Sequence, residues 1–132
     1  MSTAILNQEL FDKGLATRRE VLGDEYVQRS LDSADEFSMP MQELVTQYCW
    51  GDVWNRPGLE HAQRSLINLA MISALNRPHE LKVHVRGAIR NGVSKEQIKE
   101  VFLQVAIYCG APAALESFRL AREVFKEMEA EA

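Results

Sequence analysis

The sequence predicts an all-α fold. Three observations carry that expectation. Apolar residues recur at helical spacing in nearly every segment, the breaks between segments carry helix start and stop chemistry, and no stretch alternates apolar and polar residues as a half-buried strand would.

The elements follow in chain order. "NQELFDKGLATRREVLG" (7–23) sets Leu10, Phe11, Leu15, Val21 and Leu22 on one side and stops at Gly23, and a short helix "DEYVQRSLD" (24–32) comes next. In "SMPMQELVTQYCW" (38–50), Met41, Leu44, Val45, Tyr48 and Cys49 fall at i, i+3, i+4, i+7 and i+8, the spacing of one buried helical face. Pro40 is tolerated near the start because first-turn N–H groups lack intrahelical partners. "GDVWNRPGLE" (51–60) is the least helical stretch, with two glycines and a proline, and reads as a loop.

"LEHAQRSLINLAMISALN" (59–76) has eight apolar residues among the ten from Leu66 to Leu75. A helix apolar nearly all round is buried on several sides, either at the centre of the fold or against a second subunit. Pro78 opens a helix over 78–91 that "NG" (91–92) closes with a left-handed cap. The next helix begins with a capping box, Ser94 with Gln97, and Val93 is placed to staple onto Ile98; its stripe is Ile98, Val101, Phe102, Val105, Tyr108 and Cys109. After Gly110 and Pro112 a last helix carries Leu115, Phe118, Phe125 and Met128 on its buried face. The pattern contains no internal repeat.

Composition narrows the function classes. The net charge of −4 provides no basic patch for nucleic acid, so an anionic ligand would need a local cluster of arginines. Cys49 and Cys109 stand on apolar stripes without a CxxC or metal-type Cys/His spacing, so they are expected to be buried free thiols in a reducing cytoplasm. "MSTAILNQEL" lacks the basic-then-apolar pattern of a signal peptide, and no apolar run reaches the roughly 20 residues of a membrane span.

The run "RPHELKVHVRGA" (77–88) concentrates two histidines, two arginines and a glutamate. His79 and His84 are five residues apart, roughly 140° around a helix, which is poor geometry for sharing a metal. His79 reads as a solvated first-turn residue. Glu80 and His84 are i, i+4 neighbours on a face shared with Gly87 and Ala88, whose small side chains leave room beside the imidazole. The carboxylate would hold the ring and raise its pKa. The residues alone leave two readings open, a solvated i, i+4 pair or an acid–base site. Arg86 and Arg64 are open in the same way, as surface charges or anion contacts.

Four segments carry a resemblance: "KGLATRREVLG" (13–23), "YCWGDVWNRPGLE" (48–60), "RSLINLAMISALNRPHELKVHVRGAIRNGVS" (64–94) and "IKEVFLQVAIYCGAPAA" (98–114). The chain resembles the 4-carboxymuconolactone decarboxylase family, from about residue 10 to 125, with "WGDVWNRPGL" its most specific part. The wider alkylhydroperoxidase D-like superfamily shares only the core "ELKVHVRGAIRNGVSKEQIKEVFLQVAIYCG". Its thiol peroxidases carry a CxxC with a histidine four residues on. That histidine falls on His84, the two cysteines fall on Arg77 and Glu80, and an assisting glutamate falls on Ser65. Thiolate chemistry is therefore not expected.

The resemblance implies a single helical domain over 1–132, core roughly 35–127, as a bundle of six to seven helices. It implies cofactor-independent decarboxylation of 4-carboxymuconolactone to 3-oxoadipate enol-lactone, a step of protocatechuate breakdown, in a cytoplasmic homo-oligomer, commonly a hexamer. No metal is implied. In that frame His84 and Glu80 are the catalytic candidates. Arg64, Arg86 and Arg56 are candidates for carboxylate or oxyanion contacts, and Trp50 and Trp54 for pocket walls. The competing readings are a non-catalytic helical oligomerisation or binding module and a thiol-peroxidase relative.

Overall fold

The computed structural model describes residues 7–132. Residues 1–6, where the reading of the N-terminus as free of a signal peptide begins, lie outside the described residues. The described chain forms seven α-helices, one π-helical turn and one 3-10 turn, with no strand among the described residues, as the periodicity requires. Its contacts divide it into two compact units, Met1–Leu59 and Glu60–Ala132.

The first unit holds α1 (Gln8–Leu22), α2 (Asp24–Asp32), α3 (Met39–Val45), a π-helical turn (Thr46–Asp52) and a 3-10 turn (Val53–Asn55). Asn7 caps α1 by accepting from the Leu10 N–H at 2.9 Å. Gly23, at φ 92°, joins α1 to α2 in a backbone region that favours glycine. The π turn lies backbone to backbone on α1. A Cβ on Gly14 would stand 1.9 Å from the Thr46 carbonyl oxygen, and one on Gly51 would stand 2.4 Å from that of Leu10.

This close approach corrects the buried face expected for 38–50. Thr46, Gln47, Trp50 and Gly51 are buried, whereas Met41, Leu44 and Tyr48 are exposed and Cys49 is half-buried. The α-helical period ends at Val45, and the wider π turn rotates the following residues to a different face. Side chains that bond the preceding turn accompany the change: Thr46 Oγ1 donates to the Gln42 carbonyl at 2.6 Å, and Gln47 Nε2 donates to that of Glu43 at 3.0 Å.

The second unit holds α4 (His61–Leu75), α5 (Pro78–Arg90), α6 (Lys95–Cys109) and α7 (Ala111–Glu131). The expected punctuation is present. Pro78 starts α5, Gly92 at φ 89° follows its end, and Ser94 with Gln97 closes the capping box of α6. A second capping box, Glu60 with Gln63, starts α4, and Asn76 ends it in the left-handed region. The core gathers Leu69 of α4, Leu81, Val85 and Ala88 of α5, Ile98 and Phe102 of α6, and Leu120, Ala121 and Val124 of α7; Val93 joins it beside Ile98. Phe102 and Phe118 meet edge to face, centroids 5.4 Å apart.

Of the two alternatives for α4, full enclosure at the centre of this chain is not what the structure shows: Leu69 is buried, but Ile67, Met71 and Leu75 are 43%, 50% and 66% exposed, which leaves the alternative of a second subunit. Two further expectations in this unit are corrected. On α6 the stripe sinks as far as Val105, while Tyr108 is 81% exposed and Cys109 is exposed, so this thiol is not a core residue. Leu115 of α7 is exposed as well. In each case the helical period is right, and the four-helix core is too narrow to cover the full apolar arc.

Candidate functional site

The polar run of 77–88 lies on α5, whose buried Leu81, Val85 and Ala88 fix it in the core. His84 is half-buried on the face that also carries exposed Glu80 and buried Gly87 and Ala88. Burial pushes the His84 imidazole below its ordinary pKa of 6.5, and the Glu80 charge opposes that shift without overcoming it. The expectation of a raised pKa is thereby reversed, because desolvation of the ring outweighs a carboxylate that itself sits in water. Near neutral pH the ring is uncharged, able to donate one N–H and accept at the other nitrogen.

Two residues further, roughly 200° around the helix, Arg86 points to α7. It donates to both carboxylate oxygens of Glu131, at 3.1 and 3.0 Å, and to Glu127 at 2.9 Å. Those bonds hold Arg86 above its usual pKa and both glutamates below theirs. Lys82 joins the network on Glu127 at 3.1 Å. Arg86 thus binds α5 to α7, and the structure does not bring it to the His84 face.

On that face, seven residues beyond His84, Asn91 reaches α4. Its Nδ2 donates to Ser65 Oγ at 2.8 Å and to the His61 carbonyl at 3.4 Å. Ser65 is fully buried, and half-buried Arg64 precedes it on α4. The stripe Glu80–His84–Asn91 is therefore anchored at one end to the helix that carries Arg64. The Ser65–Asn91 bond is absent from the sequence reading, where "NG" registers only as a helix stop.

The remaining candidates belong to the Met1–Leu59 unit. Trp50 and Trp54, 4% and 3% exposed, stack with centroids 4.8 Å apart and form part of that unit's interior. Asn55 fastens the turn they share, its Nδ2 donating to the Trp50 carbonyl at 2.8 Å and to Thr17 Oγ1 at 2.9 Å. Arg56 is exposed and pairs with Asp52 at 3.6 Å. Burial raises the Cys49 thiol pKa, against the opposing charge of Arg18 and a hydrogen bond from Trp54. A neutral thiol is a poor nucleophile.

Among the described residues no group of three or more His, Cys, Asp or Glu side chains is arranged to hold a metal. A cavity of about 330 Å³ lies between α4 and α6 and is lined by Leu66, Ile67, Ala70, Val101, Val105 and Tyr108 with Gln104 and Cys109. It contains no charged side chain, so it does not suit a dianion.

The model of the carboxymuconolactone decarboxylase family matches residues 40–123. The chain belongs to this family. It is 44% identical to nitrosuccinic acid decarboxylase npaB of Metarhizium robertsii, over 93% of this chain and 86% of that protein. It is 39% identical to 4-carboxymuconolactone decarboxylase of Acinetobacter baylyi, over 92% and 91%. An uncharacterized 15.0 kDa protein of Paracoccus denitrificans is 28% identical over 94% and 96%. The family match spans the π turn, the His84 helix and most of α7.

Proposed function

We propose that this protein decarboxylates 4-carboxymuconolactone to 3-oxoadipate enol-lactone and carbon dioxide, without a cofactor, as a step of protocatechuate breakdown in the cytoplasm. Family membership and two relatives named as decarboxylases make it a carboxy-lyase. The observation that carries the assignment to a site is His84: a half-buried, neutral imidazole beside small residues, one turn from Glu80.

The substrate carries a carboxylate and a carboxymethyl arm on one ring carbon, γ to the lactone carbonyl across a double bond. When the C–CO2 bond breaks, its electron pair moves through that double bond onto the carbonyl oxygen. The resulting dienolate is delocalised over the ring, and a proton then adds at the carbon α to the carbonyl. The protein must hold the carboxymethyl arm, stabilise the oxyanion and deliver that proton. A neutral His84 N–H is suited to the oxyanion, where a preorganised donor is usually the largest contribution. The bound dianion favours protonation of the ring, which then hands the proton to carbon. Glu80 orients the ring and supports its charge. Arg64, half-buried on the anchored helix, is the stronger candidate for the arm. Arg86 serves through its grip on α7. Arg56 is kept as a carboxylate contact, with Trp50 and Trp54 holding its turn.

The 44% identical relative favours a second reading, nitrosuccinic acid. That molecule also has a carboxymethyl arm on the carbon that loses carbon dioxide. Its electron acceptor is a nitro group, which takes up the pair as a nitronate. Both substrates ask for the same arm contact, oxyanion donor and proton return, and differ in whether the acceptor is a flat ring or a nitro group.

The active form is proposed to be a homo-oligomer, a hexamer by family habit. Ile67, Met71 and Leu75 recur every four residues along α4, and Leu103, Ile107 and Tyr108 stand out on α6, all exposed in this chain. Exposed apolar residues on two helices of one unit support reading this as a surface for a second copy. Side-by-side turnover of the lactone and of nitrosuccinic acid, each followed by release of carbon dioxide, tests the assignment.

A further inference from the structure

A second cavity, about 210 Å³, lies between α6 and α7, and its residues come from those two helices alone. It shares none with the His84 face of α5. Its floor is apolar: Ile98, Phe102 and Ala121 are buried, and Phe118 turns edge-on to Phe102. Phe125 closes one side, with the Lys95 ammonium 4.9 Å from its ring centroid.

The rim carries Lys95, Lys99 and Arg122, and no carboxylate lines the cavity. Lys95 and Lys99 pair with Glu129 at 3.1 Å and Glu96 at 2.7 Å, both outside the lining. Arg122 makes no ion pair among the described residues and is exposed at the mouth.

We propose that this cleft is a binding site for a small aromatic carboxylate. An apolar cavity of roughly 150 Å³ lined by aliphatic and aromatic side chains accepts a benzene ring. The volume here leaves room for a carboxylate directed at the rim. Ring edges and faces of Phe118 and Phe125 suit a planar aromatic body. Arg122 supplies a planar two-point contact to the acid, reinforced by the two lysines. A drug-sized ligand, which needs about 300 Å³ or more, would not fit. The acidic end of α7 in a second copy carries the right charge but no aromatic group to fill the floor.

Benzoate is the probe, with benzyl alcohol as its neutral counterpart, added to the full chain at physiological ionic strength and followed by NMR of the aromatic side chains. The proposal expects saturable one-to-one binding of benzoate that perturbs Phe118 and Phe125, with little effect of benzyl alcohol. Arg122→Glu, a surface change whose folding is checked by circular dichroism, should weaken benzoate by about tenfold or more, the worth of one charge-assisted hydrogen bond. Phe125→Ala, which removes one aromatic wall, should weaken benzoate as well. Non-saturable shifts, benzoate affinity unchanged in Arg122→Glu, perturbation confined to His84, or Phe118 and Phe125 signals that respond to protein concentration and not to benzoate would each overturn it.

Discussion

His84 changes meaning between sequence and structure. Its spacing to Glu80 is visible in the letters, but its protonation state is not, because burial is a property of the packed helix. Desolvation prevails, so the imidazole is neutral near pH 7. His84→Ala is expected to lower kcat by about 10²-fold or more with the helical signal retained. The pH dependence follows from the lowered pKa. Above pH 6.5 the ring is neutral in folded and unfolded chains alike. As pH falls through 6.5 the unfolded chain takes up its proton first, and folding stability declines until the lower folded-state pKa is passed. Denaturation midpoints for His84→Asn should therefore fall less steeply than wild type over the window below pH 6.5. Arg56 poses a sharper choice. Its exposed pair with Asp52 contributes about 0–1 kcal/mol, so Arg56→Lys should leave the melting temperature nearly unchanged. If the guanidinium also holds a substrate carboxylate, KM rises more than kcat falls; unaltered kinetics would confine Arg56 to pinning its turn.

At the scale of elements, the helices of the second unit were legible because their ends are written locally. Pro78, the Asn91–Gly92 stop and the Ser94–Gln97 box each act within a few residues, and the structure places helix ends beside all three. The π turn was not legible. Its cause is the approach of α1, more than thirty residues away in sequence, and a helical wheel assumes 3.6 residues per turn throughout. The same limit hid the Asn91–Ser65 bond, which exists only once α4 and α5 are packed. Gly14 tests the account of the π turn. In Gly14→Ala the new methyl would meet the Thr46 carbonyl oxygen, backbone that has no rotamer to yield. A loss of roughly 3 kcal/mol, near the upper range for overpacking, is expected in chemical denaturation. A loss below about 0.5 kcal/mol, the usual size of a neutral surface change, would mean the two segments are not pressed together.

For the whole molecule, the fold class was readable from periodicity, whereas the extent of burial was not. Periodicity shows which side of a helix is apolar but not what covers it. Ile67, Met71, Leu75 and Ile107 are apolar and exposed in one chain, and the association of copies proposed above would cover them. Light scattering at micromolar concentration should return a multiple of the 15.0 kDa chain. A monomer mass would leave that face unexplained. Exhaustive chelation is expected to leave turnover unchanged, since the chemistry asks only for donors and a proton; activity lost and then restored by one divalent ion would require a different mechanism. The central claim is decarboxylation of the lactone at His84. It is tested most directly by adding purified protein to freshly generated 4-carboxymuconolactone and measuring release of carbon dioxide, with His84→Ala beside it. The account predicts stoichiometric release by the wild type and a rate reduced by about 10²-fold or more in the variant. No release from the lactone, or equal rates for the two proteins, would contradict it.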